Sequence, residues 1–134
     1  MQSKLTIESD FDNLRLVEEF IESVSGEIAI PDEAYGKVLV SVMEAVNNAI
    51  KHGNKGDNLK MVEVTLQHGD GLFVATVTDE GDGFRPGSVP DPTRPQNIEK
   101  ISGRGVFIMR SLSDKIEFNC KGNSVTMTFN LDAG

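Results

Sequence analysis

Two stretches of alternating apolar residues, 61–67 and 72–79, constrain the fold of this chain more than any other feature. Their sequences, MVEVTLQ and LFVATVTD, predict two strands that each bury one side. The segment 68–71, HGDG, is short and glycine-rich, so it predicts a hairpin turn that pairs the strands antiparallel. A sheet with one apolar face needs a second layer, so the rest of the chain must supply helices.

The first covering helix is predicted over 11–25, where apolar residues recur every three or four positions. Ser9 or Asp10 precedes it as a candidate N-cap, and Gly26 is expected to stop it. A third helix is expected over about 104–112.

The second helix, over 31–51, combines an apolar stripe with a polar face whose role the pattern leaves open. Pro31 and two acidic residues favour its start, and Gly53 its end. Glu44 and Asn48 lie one turn apart, opposite the stripe. Periodicity alone favours a solvated face, but a carboxylate beside an amide oxygen can also hold a hard cation next to a base. The stripe comprises Val38, Leu39, Val42, Ala45, Val46 and Ala49.

Strands are also predicted over 3–8, 115–120 and 124–130, the last two joined by a turn at 121–123. With the central hairpin they make a mostly antiparallel sheet with helices on one face. The predicted fold class is therefore α/β (α+β), a two-layer α/β sandwich.

The glycine cluster DEGDG, residues 79–83, follows the second strand of the hairpin. Glycines let a ligand approach the backbone, although a tight turn explains the cluster equally well. An EF-hand calcium loop is excluded, because it needs Glu at the twelfth position and counting from Asp79 that position is Pro90.

A second glycine cluster, Gly103-Arg104-Gly105, stands where a loop enters the third helix. Bare helix N–H groups beside an Arg suit a phosphate, whereas the alternative is a helix start with spare glycines. No Gly-Lys-Ser/Thr follows, so this is not a Walker loop, and no parallel βαβ unit surrounds it as a dinucleotide fingerprint requires.

Composition narrows the functional classes. Thirteen basic and 21 acidic residues give a net charge of −8, which argues against a general nucleic-acid binder. The single cysteine, Cys120, excludes an internal disulfide. No apolar run approaches the about 18 residues of a membrane span. We expect one cytoplasmic domain over 1–134.

The order of these motifs is more specific than any one of them. The segments are MEAVNNAIKHGN (43–54), VTDEGDGF (77–84) and SGRGVFIMRSLSD (102–114). In this order they resemble the N box and two glycine boxes of the Bergerat ATP-binding fold, shared by gyrase B and histidine kinases in the GHKL superfamily. Over almost the whole chain the sequence looks most like the small anti-sigma factor serine/threonine kinases.

At the phosphate end of the site, the resemblance implies one role for each motif residue. Asn48 would ligate Mg²⁺ and Glu44 would be the general base on the attacking hydroxyl. Gly103 and Gly105 would offer backbone N–H groups to phosphate, and Arg104 would add charge.

At the adenine end, the resemblance implies that Asp79 accepts a hydrogen bond from the adenine amino group. Gly81 and Gly83 would leave room for the base, and 84–102 would form an ATP lid. Ser124 lies where the family often has a Thr near adenine, and it is the loosest match.

The implied activity is that of an ATP- and Mg²⁺-dependent protein serine/threonine kinase acting as an anti-sigma factor. Its substrate would be a STAS-domain anti-sigma-factor antagonist, and a sigma factor would compete with that substrate for the kinase. Many kinases of this family are homodimers, so the resemblance also implies a possible homodimer. Arg15, the only basic residue of the first helix, is a candidate partner contact, although a packing role is the simpler interpretation.

Two alternatives stay open: a partner-switching kinase with a non-sigma output, and a nucleotide-gated binding module without phosphotransfer. A histidine kinase is disfavoured because no phosphoacceptor helix pair precedes the motifs, and a topoisomerase or chaperone because no transducer domain is present.

Overall fold

The predicted hairpin and its covering helices are all present in the computed structural model, which describes residues 2–55, 57–81, 103–119 and 122–131. The predicted lid 84–102 and the residues Gly83 and Cys120 lie outside the described residues. The described elements are β1 Gln2–Glu8, a 3₁₀ turn Phe11–Asn13, α1 Leu14–Ile28, α2 Asp32–Asn48, a π-helical turn Ala49–Gly53, β2 Met61–Gly69, β3 Leu72–Asp79, α3 Gly103–Leu112, β4 Lys115–Phe118 and β5 Ser124–Asn130.

The described strands form one antiparallel sheet in the order β1-β2-β3-β5-β4. At its centre β2 and β3 turn through Asp70 and Gly71 alone, since β2 continues to Gly69. Both turn residues have positive φ, 53° and 74°, which suits a two-residue hairpin connection because its twist matches that of the strands. The predicted fold class is confirmed, and the described sheet is entirely antiparallel.

The core lies between one face of the sheet and the helices. Alternate side chains of β2, β3 and β5 are buried, including the register partners Phe73 and Phe129. Full burial of side chains of this size stabilises the fold by about 1.5–3 kcal/mol each. From the helices, Val17 and Ile21 of α1 and Val42 of α2 are fully buried.

The first helix begins and ends differently from the prediction. α1 starts at Leu14, directly after the 3₁₀ turn Phe11–Asn13, and its N-cap residue Asn13 makes no side-chain capping bond. Asp10 caps the 3₁₀ turn instead, because its Oδ1 accepts a hydrogen bond from Asp12 N–H at 2.9 Å, whereas Ser9 is buried and bonds elsewhere. The predicted stop at Gly26 is wrong, since α1 continues to Ile28. Ile28 is partly buried against the core, and this burial offsets the about 0.5–1 kcal/mol cost of a helical glycine.

The residue that ends α1 is Ala29, in the left-handed conformation at φ 50° and ψ 51°, with its N–H bonded to Ser25 C=O. Glycine favours this conformation because it has no Cβ, and its enrichment at helix ends has the same cause. The terminator therefore lies three residues beyond the glycine that the sequence offers for it.

The strain at Ala29 predicts a stabilising substitution. Ala29→Gly should raise the free energy of unfolding by about 0.5–1 kcal/mol, because relief of the left-handed strain exceeds the added entropy of the unfolded chain. Ala34→Gly, in the first turns of α2, is the matched control and should lower it by a similar amount. Urea denaturation measures both, and a loss of stability in both variants would contradict the assignment.

Within the described residues, no helix is long and apolar enough to cross a membrane.

Candidate functional site

The polar face of α2 is not the solvated surface that periodicity alone favours. Glu44 and Asn48 are both half-buried, and α3 packs along α2. Lys51, farther along the same face, is exposed. The carboxylate and the amide therefore lie one helical turn apart in a partly desolvated position.

The side-chain oxygen of Asn48 is the most unusual atom of this region. Oδ1 is buried, and no donor among the described residues reaches it. Leaving a buried polar atom unpaired costs about 1–3 kcal/mol. Amide oxygens are ligands for hard cations such as Mg²⁺. The residues present therefore fit a magnesium ion at this atom.

Beyond Asn48, α2 widens into the π-helical turn Ala49–Gly53, closed by a 2.7 Å bond from Asn54 N–H to Ala49 C=O. Ile50 is fully buried within this turn. Single π turns are frequently found at functional sites. Here the turn carries the helix end against the end of β3.

Gly53 and Gly81 allow that close approach. A Cβ on Gly53 would overlap the Asp79 carboxylate, and a Cβ on Gly81 would overlap the Gly53 carbonyl oxygen. Gly53, which the sequence analysis treats only as a helix end, is therefore part of the site. Its place directly after the polar end of a helix is the signal that could have identified it.

Asp79 is held at the end of β3 by three hydrogen bonds, each of which involves at least one backbone atom. Its N–H donates to Asn123 C=O and its C=O accepts from Asn123 Nδ2, both at 2.9 Å. Its Oδ1 accepts from Gly81 N–H at 2.8 Å. The carboxylate therefore has a fixed direction beside the π-helical turn. Asn123 is a second residue that the sequence analysis missed, since no local pattern links it to Asp79.

Ser124, the loosest predicted match, lies on the other side of the sheet. Its hydroxyl is 2.9 Å from that of Thr78, its register partner, whereas the neighbouring Val125 is buried in the core. The Asp79 carboxylate lies on the helix side, next to Gly53. The structure brings Asp79 and Gly81 together and does not bring the Ser124 hydroxyl to them.

The second glycine cluster opens α3 as predicted. Gly103 is the first helical residue and Gly105 is buried, with α3 packed along α2. The first N–H groups of a helix have no intrahelical partner and lie at the positive end of its dipole, which suits an anion. The side chain of Arg104 lies outside the described residues.

His52 adds no positive charge to the site at neutral pH. Burial lowers the pKa of its imidazole below the usual 6.5, and the neighbouring Lys51 ammonium lowers it further. The side chain is therefore neutral at pH 7.

The close contact at Gly53 predicts an unusual response to alanine. Its φ lies outside the left-handed range, so the backbone accepts Ala, yet Gly53→Ala should lower the free energy of unfolding by about 1–3 kcal/mol through the clash with Asp79. Gly26→Ala, where nothing lies within 4 Å, is the control and should raise it by about 0.5–1 kcal/mol. Chemical denaturation distinguishes the two, and a fully stable Gly53→Ala variant would show that no clash exists.

Comparison with known proteins identifies the family and the fold. The family described as histidine kinase-like ATPase domain matches residues 7–129. A search of curated proteins finds no match. The crystal structure of the RsbU and RsbW domains of Rv1364c from Mycobacterium tuberculosis is similar, with a TM-score of 0.66 and 20% sequence identity over 98% of this chain. That likeness is one of fold, and the match covers 32% of the other chain. The present chain belongs to the histidine kinase-like ATPase family, which implies nucleotide binding.

Proposed function

We propose that this chain is an ATP- and Mg²⁺-dependent protein serine/threonine kinase that acts as an anti-sigma factor. The observation that carries the proposal is the buried Oδ1 of Asn48, which no donor in the described part of the chain reaches, one helical turn after the half-buried Glu44. A metal ligand beside a base is what transfer of a phosphoryl group to a hydroxyl requires. The family match and the fold shared with the RsbU and RsbW domain structure support it.

Asn48 would hold the metal and Glu44 would take the proton. When bound, Mg²⁺ neutralises charge on the ATP phosphates. The hydroxyl oxygen of the substrate Ser or Thr forms a bond to the γ-phosphorus, and the bond from that phosphorus to the β,γ-bridging oxygen breaks, releasing ADP. The hydroxyl proton passes to the Glu44 carboxylate.

Asp79 would select adenine. A carboxylate accepts hydrogen bonds, so it pairs with the adenine amino group and opposes the carbonyl that guanine places there. The bonds from Gly81 and Asn123 fix its position before the base arrives. Gly81 and Gly83 would leave room for the ring. The Ser124 hydroxyl lies on the other face of the sheet, so it would not contact the base directly.

The ATP phosphates would be bound mainly by backbone N–H groups rather than by charged side chains. Gly103 and Gly105 would donate N–H groups from the start of α3, with Arg104 as a nearby cation and 84–102 as the lid. With a net charge of −8, the chain depends on such dipoles and on Mg²⁺ to bind a polyanion.

The proposed partners are a STAS-domain antagonist, which receives the phosphoryl group, and a sigma factor, which the kinase would sequester as a homodimer. Arg15 is exposed on α1, where a partner could contact it.

Labelled ATP incubated with candidate STAS proteins tests the proposal directly, because label on a partner Ser or Thr separates a kinase from a nucleotide-gated binding module.

Removing the base should separate binding from chemistry. Glu44→Gln should bind Mg²⁺·ATP with nearly unchanged affinity and lose about 10²–10⁴-fold in phosphotransfer rate, because no carboxylate accepts the proton. Calorimetry and the labelling assay measure the two quantities. Glu27→Gln, an exposed change at the end of α1 away from Arg15, is the matched control. Full turnover in Glu44→Gln would remove Glu44 as the base.

Removing the metal ligand should weaken nucleotide binding without weakening the fold. Asn48→Ala should reduce Mg²⁺·ATP affinity about ten- to hundredfold, because one charge-assisted contact is lost. The free energy of unfolding without nucleotide should not fall, since the deleted oxygen has no hydrogen-bond partner among the described residues. The adjacent half-buried Asn47→Ala is the control. Unchanged Mg²⁺-dependent affinity in Asn48→Ala would contradict the assignment.

A further inference from the structure

We propose that Asn54 is a positioning residue that holds the turn 79–81 in the shape that presents the Asp79 carboxylate to adenine. The inference rests on the proposed function for its ligand, and on the hydrogen bonds of Asn54 for its geometry. Asn54 is 1% exposed and directly follows the π-helical turn.

The side chain of Asn54 closes a ring of three hydrogen bonds. Its Oδ1 accepts from Glu80 N–H at 2.9 Å, and its Nδ2 donates to Met61 C=O at 3.0 Å. The Glu80 carboxylate in turn accepts from Met61 N–H. Nδ2 also donates to Ser9 Oγ at 2.5 Å. One amide thus joins the end of β1, the start of β2 and the turn after β3.

Only an asparagine meets these demands. Glu80 N–H is a donor and Met61 C=O an acceptor, so the side chain between them must supply one acceptor and one donor. Asp would place an oxygen against the Met61 carbonyl. A longer Gln would not fit a buried position packed this closely.

The ring acts on Asp79 through the next two residues. Glu80 N–H is fixed by Asn54, and Gly81 N–H is fixed by Asp79 Oδ1 at 2.8 Å. Gly53 lies against both Asp79 and Gly81, so residues 53–54 support the whole turn. If the Asn54 amide is lost, the Glu80 peptide loses this bond, and the turn that carries Gly81 N–H is held less tightly against the Asp79 carboxylate.

The same segment leads back to the metal ligand. Asn54 follows Asn48 by six residues through the π-helical turn. The group proposed to hold Mg²⁺ and the group proposed to anchor the adenine-binding turn therefore lie on one continuous stretch of backbone. This stretch limits the distance between the metal end and the adenine end of the proposed site.

The test compares Asn54→Ala with Asn54→Asp, which keeps the acceptor for Glu80 N–H, and with Ser9→Ala, which removes one partner of Nδ2 and leaves Glu80 held. Ile21→Val, in the core of α1, matches any general loss of stability. Calorimetric titration with Mg²⁺·ATP and Mg²⁺·GTP gives base selectivity. Amide hydrogen exchange at Glu80 and Gly81, followed by NMR without nucleotide, gives the order of the turn.

We expect Asn54→Ala to reduce ATP affinity about tenfold with GTP affinity nearly unchanged, and to speed exchange at Glu80 and Gly81. Asn54→Asp should retain more of the selectivity, while Ser9→Ala and Ile21→Val should keep all of it. In an Asp79→Asn background, Asn54→Ala should change ATP affinity no further, since it acts through Asp79.

Equal losses for ATP and GTP, or exchange at Glu80 and Gly81 no faster than in Ile21→Val, would overturn the positioning role. If the parent chain binds neither nucleotide, the proposed function fails, and the exchange measurement still decides whether Asn54 orders the turn. Should Asn54→Ala not fold, Asn54→Asp and Ser9→Ala carry the comparison.

Discussion

The contact on which this site depends is between two backbones, where the Gly53 carbonyl meets Gly81 with no Cβ on either side. It joins the end of the long helix to the end of a central strand. Side-chain bonds secure a contact of this kind, and here they come from the Asn54 amide and from Asn123. A site between a helix end and a strand end needs such a closure, because each element packs on the core but neither by itself fixes the other's terminus.

Near this closure lies a buried polar atom that has no hydrogen-bond partner among the residues that the structure describes. The buried Oδ1 of Asn48 is a destabilising feature of about 1–3 kcal/mol in the absence of a ligand. A fold tolerates such a feature where the surrounding packing holds it, and the fully buried Val46 and Ile50 on the same helix supply that packing. Binding that satisfies the oxygen would recover the penalty, so it would add to ligand affinity. Under the proposed function, stability and binding would be coupled through this one atom.

Long periodic patterns predicted the architecture well, because burial enforces them. The alternation at Val62, Val64 and Leu66 can place these side chains inside only if the strand lies as it does, and a one-residue slip would expose them all. Ends were predicted less well. Gly26 satisfies the sequence rule for a helix stop, but the core contact of Ile28 decides the outcome. Local propensities are worth about 1 kcal/mol, and one buried side chain outweighs them.

The candidate site also could be predicted from the sequence only in part. Motif order predicted Asp79 and Gly81 together, since two residues apart in a turn they cannot lie far from each other. It did not predict Gly53 or Asn123, whose roles arise from segments brought together only by the sheet and the helix end. For Ser124 the register decides, because adjacent residues of a strand face opposite sides and Val125 takes the inner one. Residues close together in the sequence could be predicted to lie close together in the site. The face of the sheet on which a strand residue lies could be assigned only from the strand register.

The acidic surface gives these arrangements a further consequence. A chain of net charge −8 repels ATP at long range, and salt screens that repulsion over about 8–10 Å. In the proposed function the attraction would therefore arise at contact distance, from N–H groups, a cation on Asn48 and a base that fits beside Asp79. Contact-range attraction is directional and tolerates little displacement. A site built in this way depends more on the rigidity of its turns than a basic pocket does, which is why a buried amide such as Asn54 matters more here than another surface lysine would.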